Sequence, residues 1–170
     1  YGSIDSTKLH EIIMPTIIAA SGESTCRQFI EFFAVNIRNI NTRKAYYRAV
    51  VNFLNWCESV GIKFEQIAPM VVAAYVEQHT ASPPTVKQHL AAIRMLFDWL
   101  VVGHVISVNP ALSVRGPKYV VKKGKTPILF KDETRKLLES IDTSSVVGLR
   151  DRALIATMVY SFARVGAVVG

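Results

Sequence analysis

Asn41-Thr42-Arg43-Lys44-Ala45-Tyr46-Tyr47-Arg48-Ala49-Val50-Val51-Asn52-Phe53-Leu54-Asn55-Trp56-Cys57-Glu58-Ser59-Val60-Gly61 is the stretch that decides the fold. Tyr46, Val50, Phe53, Leu54 and Cys57 recur at the three- and four-residue spacing that lines one side of an α-helix. Lys44, Arg48, Asn52 and Asn55 fall on the opposite side. Asn41 or Thr42 is the expected N-cap, because a short polar side chain there accepts from unpaired N–H groups of the first turn. Gly61 is the expected stop. A helix with one apolar side needs apolar faces from its neighbours to cover it.

Those faces are present on both flanks. Upstream, Ser24 is placed to cap a helix bearing Phe29, Ile30, Phe33 and Ile37. Downstream, Pro69 suits the first turn of a shorter helix running to about His79. A fourth helix is predicted from Thr85 to Val102, with Gly103 closing it and Val86, Leu90, Ile93, Phe97 and Leu100 inward. No strand-like alternation interrupts this region. Four helices around one apolar core, residues 24–110, is the economical reading. Residues 1–23 show weak periodicity and read as a loosely held arm.

Beyond Asn109-Pro110 the composition changes. Residues 111–127 hold Arg115, Lys118, Lys122, Lys123 and Lys125 among Gly116, Pro117, Gly124 and Pro127, which suits an exposed basic linker. Residues 128–170 start a second unit. It begins with a helix from Lys131 to Ile141, with Asp132 and Glu133 near its N-terminus where the helix dipole favours them. A further helix follows from Val146 to Phe162, apolar nearly all round through Leu149, Ala153, Ile155, Ala156, Met158 and Val159. Such a helix expects to be enclosed by other elements.

Charge narrows the class of partner. The 170 residues carry a formal net charge of +7, and half of them are apolar, so a packed core is expected and global disorder is excluded. Up to Pro110 nine Lys/Arg face eight Asp/Glu; from Ala111 onward the counts are eleven and five. The excess in the second part points to a polyanion. Cys26 and Cys57 form no CxxC or Cys/His cluster and read as buried thiols of a reducing cytosol. His10, His79, His89 and His104 lack metal-ligand spacing, so no metal or cofactor is expected. The apolar run Met14–Ala20 is too short to span a bilayer, and no signal-peptide pattern opens the chain. The expected location is the cytoplasm, with no membrane partner.

Several of these segments, in this order, resemble the tyrosine recombinases, the phage-integrase family of site-specific recombinases. Asn41-Thr42-Arg43-Lys44-Ala45-Tyr46 with Phe53-Leu54-Asn55-Trp56 is similar to the second helix of that family's SAM-like core-binding domain. Thr85-Val86-Lys87-Gln88-His89-Leu90 through Ile93-Arg94-Met95-Leu96-Phe97 is similar to its fourth. Asn109-Pro110 followed by Gly116-Pro117-Lys118 resembles the bridge into the catalytic domain, and Leu129-Phe130-Lys131-Asp132-Glu133 resembles that domain's first helix. Arg150-Asp151-Arg152, the apolar helix after it and Ala163-Arg164-Val165-Gly166 resemble the segment that carries the first catalytic arginine. The resemblance covers residues 24 to 170.

It implies a four-helix core-binding domain, a basic linker and the first helices of an incomplete mixed α+β catalytic domain. Duplex DNA would lie against the second and fourth helices, with Asn41, Thr42, Arg43, Lys44, Arg48, Thr85, Lys87, Gln88, His89 and Arg94 as contacts. Gln88 and Asn41 would be the adenine readers. The linker cations Arg115, Lys118, Lys122, Lys123 and Lys125 would cross the backbone as the protein closes round the duplex. Arg164 would clamp the scissile phosphate. The family joins DNA strands through a 3′-phosphotyrosyl intermediate in a tetramer, without metal or ATP. Val165–Gly170 holds no Tyr, His or Lys, so the nucleophile is not among these residues.

The residues alone leave other readings open. Arg164 also suits an ion pair with Asp151 or with a carboxylate of a partner chain. Ala167 stands where the family often has a glutamate, which alters the local support of Arg164. Tyr160 reads as structural, and Trp56 and Trp99 as core or core edge. A non-catalytic DNA-binding short form fits the same pattern, and so does a helical protein-interaction domain whose charge is incidental.

Overall fold

The computed structural model describes residues 13–120 and 128–169. Among them no strand occurs, and two compact units separate at Val120/Val121.

The first unit contains α1 (Thr16–Ala20), α2 (Glu23–Glu31), α3 (Ile40–Ser59), α4 (Pro69–Gln78) and α5 (Pro83–Val102). Its framework is the packing of α3 on α5. The inward stripe of α3 behaves as its spacing requires: Val50, Phe53, Leu54 and Cys57 are fully buried. They meet Leu90, Ile93, Leu96, Phe97 and Leu100 of α5. Phe53 stands edge-on to both Tyr75 of α4 and Phe97 of α5, with ring centroids 5.1 and 6.3 Å apart. That offset geometry is the one favoured by the ring quadrupoles. α2 runs on into one wider π-helical turn, Phe32–Asn36. The wider turn lets the consecutive Phe32 and Phe33 both enter the core along with Phe29 and Ile37.

Helix ends show where the chain departs from expectation. The cap of α3 is Asn39, not Asn41 or Thr42: its Oδ1 accepts from the N–H groups of both, at 2.9 and 3.1 Å. The cap of this helix therefore lies two to three residues earlier than expected, at Asn39, and Asn41 and Thr42 fall in the first turn. Its other end closes at Gly61, whose φ of +75° favours glycine, with the Ile62 N–H donating to the Cys57 carbonyl at 2.9 Å. α5 ends differently. The left-handed residue there is His104, at φ +56°, rather than Gly103. A Cβ at Gly103 would stand 2.6 Å from the end of the Gln28 side chain, which would have to move to make room.

The packed unit is also wider than residues 24–110. Ile17 and Ile18 of α1 are buried, so the segment after Pro15 is part of the core and not a loose arm. Tyr47 fixes it from α3, its hydroxyl accepting from Ile13 N–H at 2.9 Å and donating to the Ile13 carbonyl at 2.7 Å. Glu58 accepts from the Ile17 N–H. Ala111 and Val114 are buried too, so the first residues assigned to the linker belong to the fold.

The second unit contains α6 (Lys131–Glu139), α7 (Val146–Ser161) and α8 (Val165–Val168). Glu133 accepts from the Phe130 N–H at 2.8 Å and closes the start of α6. Ser145 caps α7 through the Gly148 N–H at 3.1 Å. Gly148 has no alternative, because a Cβ there would fall 1.7 Å from the Asp142 carbonyl. Among the described residues of this unit no hydrophobic side chain is fully buried. Val146, Leu149, Tyr160 and Phe162 are all exposed.

Candidate nucleic-acid interface

An amphipathic helix whose apolar side is spent on a core must turn its other side outward. On α3 that side is Lys44, Arg48, Asn52 and Asn55, all exposed and one helical turn apart. Asn41 and Thr42 continue the polar face at the N-terminus of α3. On α5 the outward residues are Lys87 and Gln88. Because α3 and α5 pack directly on each other, both faces belong to one rigid pair. Arg48 and Lys87 make no ion pair among the described residues, which leaves their charge available to a polyanion.

Other expected contacts are engaged inside the fold. His89 is buried, 8% exposed, with its Nδ1 2.9 Å from the Tyr75 hydroxyl and 3.1 Å from His79 Nε2. It lies three residues after Val86, on the inward side of α5. Burial and the neighbouring His79 hold its pKa below the ordinary histidine value. His89 is therefore held in the core rather than presented on the outward face with Lys87 and Gln88.

Arg94 is half-buried and holds the chain past α5. Its Nε donates to the Ala111 carbonyl at 3.1 Å and its Nη2 to the Val114 carbonyl. Arg43 turns back on its own helix entrance, donating from Nε and Nη2 to the Ile37 carbonyl at 3.0 and 2.7 Å. Two of its five N–H groups are engaged there, which leaves it less free to reach a phosphate than Arg48. Thr85 is half-buried, its hydroxyl 3.0 Å from that of Ser82.

Asn109 of the Asn109-Pro110 bridge carries more of this geometry than its place in a motif implies. Asn109 is buried, and its side-chain amide donates to the Arg94 carbonyl at 3.0 Å and to Asp98 at 2.7 Å. Its Oδ1 accepts from the Ala111 N–H at 2.8 Å. Together Asn109 and Arg94 lay residues 111–116 along α5. A Cβ at Gly116 would sit 3.4 Å from Cγ of Lys87, so the segment passes beside the Lys87 stem. Arg115 and Lys118 are exposed on either side of Gly116. Lys122, Lys123 and Lys125 lie outside the described residues.

Arg164 precedes α8 in an extended conformation and is exposed. It meets no carboxylate among the described residues. Asp151 pairs instead with Arg150, at 2.8 Å. Tyr160 is 78% exposed, so it is not a core residue of the second unit as described. The tryptophans are both half-buried. Trp56 packs against Tyr75 with centroids 5.5 Å apart, and Trp99 donates from its indole to the Gln28 carbonyl at 3.1 Å. Cys57 is buried and Cys26 half-buried, both as free thiols, and burial pushes the Cys57 pKa up to about 12. Among the described residues no cluster of three His, Cys, Asp or Glu side chains is placed to hold a metal ion. No helix among them is long and apolar enough to cross a membrane.

Comparison with known proteins places these helices. Residues 26–105 match the family described as the phage integrase N-terminal SAM-like domain. The chain is 30% identical over 123 residues to tyrosine recombinase XerD of Listeria monocytogenes, covering 68% of this chain and 40% of that protein. It is 34% identical over 85 residues to tyrosine recombinase XerC of Pelotomaculum thermopropionicum, covering 50% and 27%. Against XerC of Xanthomonas campestris the identity is 27% over 152 residues, covering 83% and 46%. The chain spans about half the length, or less, of the curated relatives it matches. No solved structure matches it significantly.

Proposed function

Because the chain belongs to the tyrosine recombinase family, we propose that it is the DNA-holding part of a site-specific recombinase. The observation that supports this most is the pairing of two outward polar faces, Lys44–Arg48–Asn52–Asn55 on α3 and Lys87–Gln88 on α5, on helices whose inward faces form one core. Lysine and arginine on such faces supply phosphate contacts that fix register, and amide side chains can pair with base edges in the major groove. Gln88 and Asn41, both exposed, are the proposed base readers.

In this reading residues 24–110, extended by α1 and by Ala111 to Val114, are the core-binding domain. The basic stretch up to residue 127 is a backbone-contacting tether, and residues 128–170 begin the catalytic domain. Arg164 then acts on the scissile phosphate. A phosphoryl group in transfer spreads negative charge over its nonbridging oxygens, and a planar guanidinium can donate to two of them at once. One preorganised donor of that kind is typically worth about 2.7–4 kcal/mol in the transition state. The nucleophilic tyrosine, the 3′-phosphotyrosyl intermediate and assembly into a tetramer on DNA are proposed for the whole protein by analogy with the family.

The test is binding of the chain to a fluorescein-labelled duplex of mixed sequence at a series of salt concentrations. Phosphate contacts from the five exposed cations Lys44, Arg48, Lys87, Arg115 and Lys118 predict a slope of log K against log salt of about −4.5. A slope near zero, or no binding at low salt, would overturn the assignment and favour a protein-interaction domain.

A further inference from the structure

The turn between α4 and α5 is held by three titratable side chains in direct contact. Tyr75 lies on α4, His79 is the residue that ends it, and His89 lies on the inward side of α5. The two imidazoles meet edge to face with centroids 4.7 Å apart, and Tyr75 contacts both rings.

Hydrogen bonds determine where the protons are. The Ala81 N–H donates to His79 Nδ1 at 3.1 Å, so that nitrogen keeps its lone pair. The proton of neutral His79 is therefore on Nε2, which faces His89 Nδ1 at 3.1 Å. His89 Nδ1 must then accept from His79, its single lone pair being shared with the Tyr75 hydroxyl at 2.9 Å, and its own proton is on Nε2. The network closes only with both rings neutral. A proton added to His89 would go to Nδ1 and set an N–H against the N–H of His79. A proton added to His79 would go to Nδ1 and set an N–H against that of Ala81.

Little nearby would stabilise a cation. From α4 the titratable groups facing His89 are Tyr75 and His79. From α3 Phe53, Trp56 and Cys57 back Tyr75, and of these only Cys57 titrates. Burial and its own neighbours push Tyr75 to about 12 and Cys57 to about 12, so both are neutral at every pH at which histidine titrates. No carboxylate among the described residues hydrogen-bonds to either imidazole.

We propose that Tyr75, His79 and His89 form a proton-sensitive latch that fixes the α4–α5 turn, and the first turns of α5 that present Lys87 and Gln88, only while both imidazoles are neutral. Protonation opens the contact between His79 and His89 and frees residues 79–82. The sign follows from proton uptake: burial and the neighbouring His79 hold His89 below the ordinary histidine value, so the unfolded chain binds more protons than the folded one below about pH 6.5. Stability from the latch is present in full above that value and declines as pH falls. Each extra proton taken up on unfolding changes the folding equilibrium constant by about tenfold per pH unit. The latch stands whether or not the chain binds DNA.

Nitrogen-15 NMR of the intact chain reads the tautomers directly. Both Nδ1 atoms are expected unprotonated at pH 7.5, with His89 titrating below the ordinary histidine value and the Ala81 amide shifting along the same curve. Chemical unfolding from pH 7.5 to 5.0 supplies the second arm. The wild type loses stability steeply, and His89→Gln, which keeps a polar group but cannot titrate, flattens the profile by up to about one proton. A His89 that carries its proton on Nδ1 at pH 7.5, or an Ala81 amide indifferent to its titration, overturns the proposal even where the variant fails to fold.

Discussion

α3 and α7 are both long helices rich in apolar residues, yet only α3 loses them to a core. Its apolar residues keep to one side, so Val50, Phe53, Leu54 and Cys57 are buried while Lys44 to Asn55 stay outside. On α7 apolar residues occupy most of the circumference, and the described residues of its unit bury none of them fully. Two flanking helices cannot surround a third that is apolar all round. A one-sided pattern therefore names a self-sufficient core, and an all-round pattern names a helix whose partners must come from further elements. The residues proposed to face DNA on α3 and α5 sit on the self-sufficient unit, and Arg164 sits on the other.

Mutations break this contrast at different strengths. Phe53→Ala removes a ring packed between α4 and α5 and should destabilise the first unit by about 3–5 kcal/mol in chemical unfolding. A change under about 1 kcal/mol would mean that the α3–α5 core is not what holds the unit together. Asn109→Ala leaves the Ala111 N–H and the Asp98 carboxylate without their partner, and should cost about 1–3 kcal/mol. It should also loosen residues 111–116 alongside Lys87, raising hydrogen exchange there first. Leu149→Ala on α7, 56% exposed, should fall within about 0.5 kcal/mol of wild type. A loss comparable to that at Phe53 would show that α7 is enclosed after all.

The helices were legible because periodicity reports which side is buried, and their spans fell within a few residues of expectation. The ends were less so. Asn39, Asn41 and Thr42 are all competent caps within four residues, and only backbone geometry selects Asn39. Of the expected contacts, the outward residues of α3 and α5 follow from helical spacing, while His89 and Arg94 are engaged inside the fold. His89 stands beside Lys87 and Gln88 and shares their polarity, but its spacing from Val86 and Ile93 already put it on the inner side. Arg94 carried no such signal, since its carbonyl partners lie 17 and 20 residues away. Long-range satisfaction of a guanidinium by backbone is invisible to local pattern. The same holds for the segment Ile13 to Ile18, in which Tyr47 of α3 holds Ile13 and Glu58 of α3 holds Ile17.

The central claim is that α3 and α5 present one polyanion-binding surface, and the salt dependence of duplex binding tests it in a single variant. Arg48→Ala combined with Lys87→Ala removes one exposed charge from each helix without touching the core, so thermal stability should be unchanged. The slope of log K against log salt should become shallower by about 2 units. A slope equal to that of the wild type, in a variant equally folded, would contradict the account.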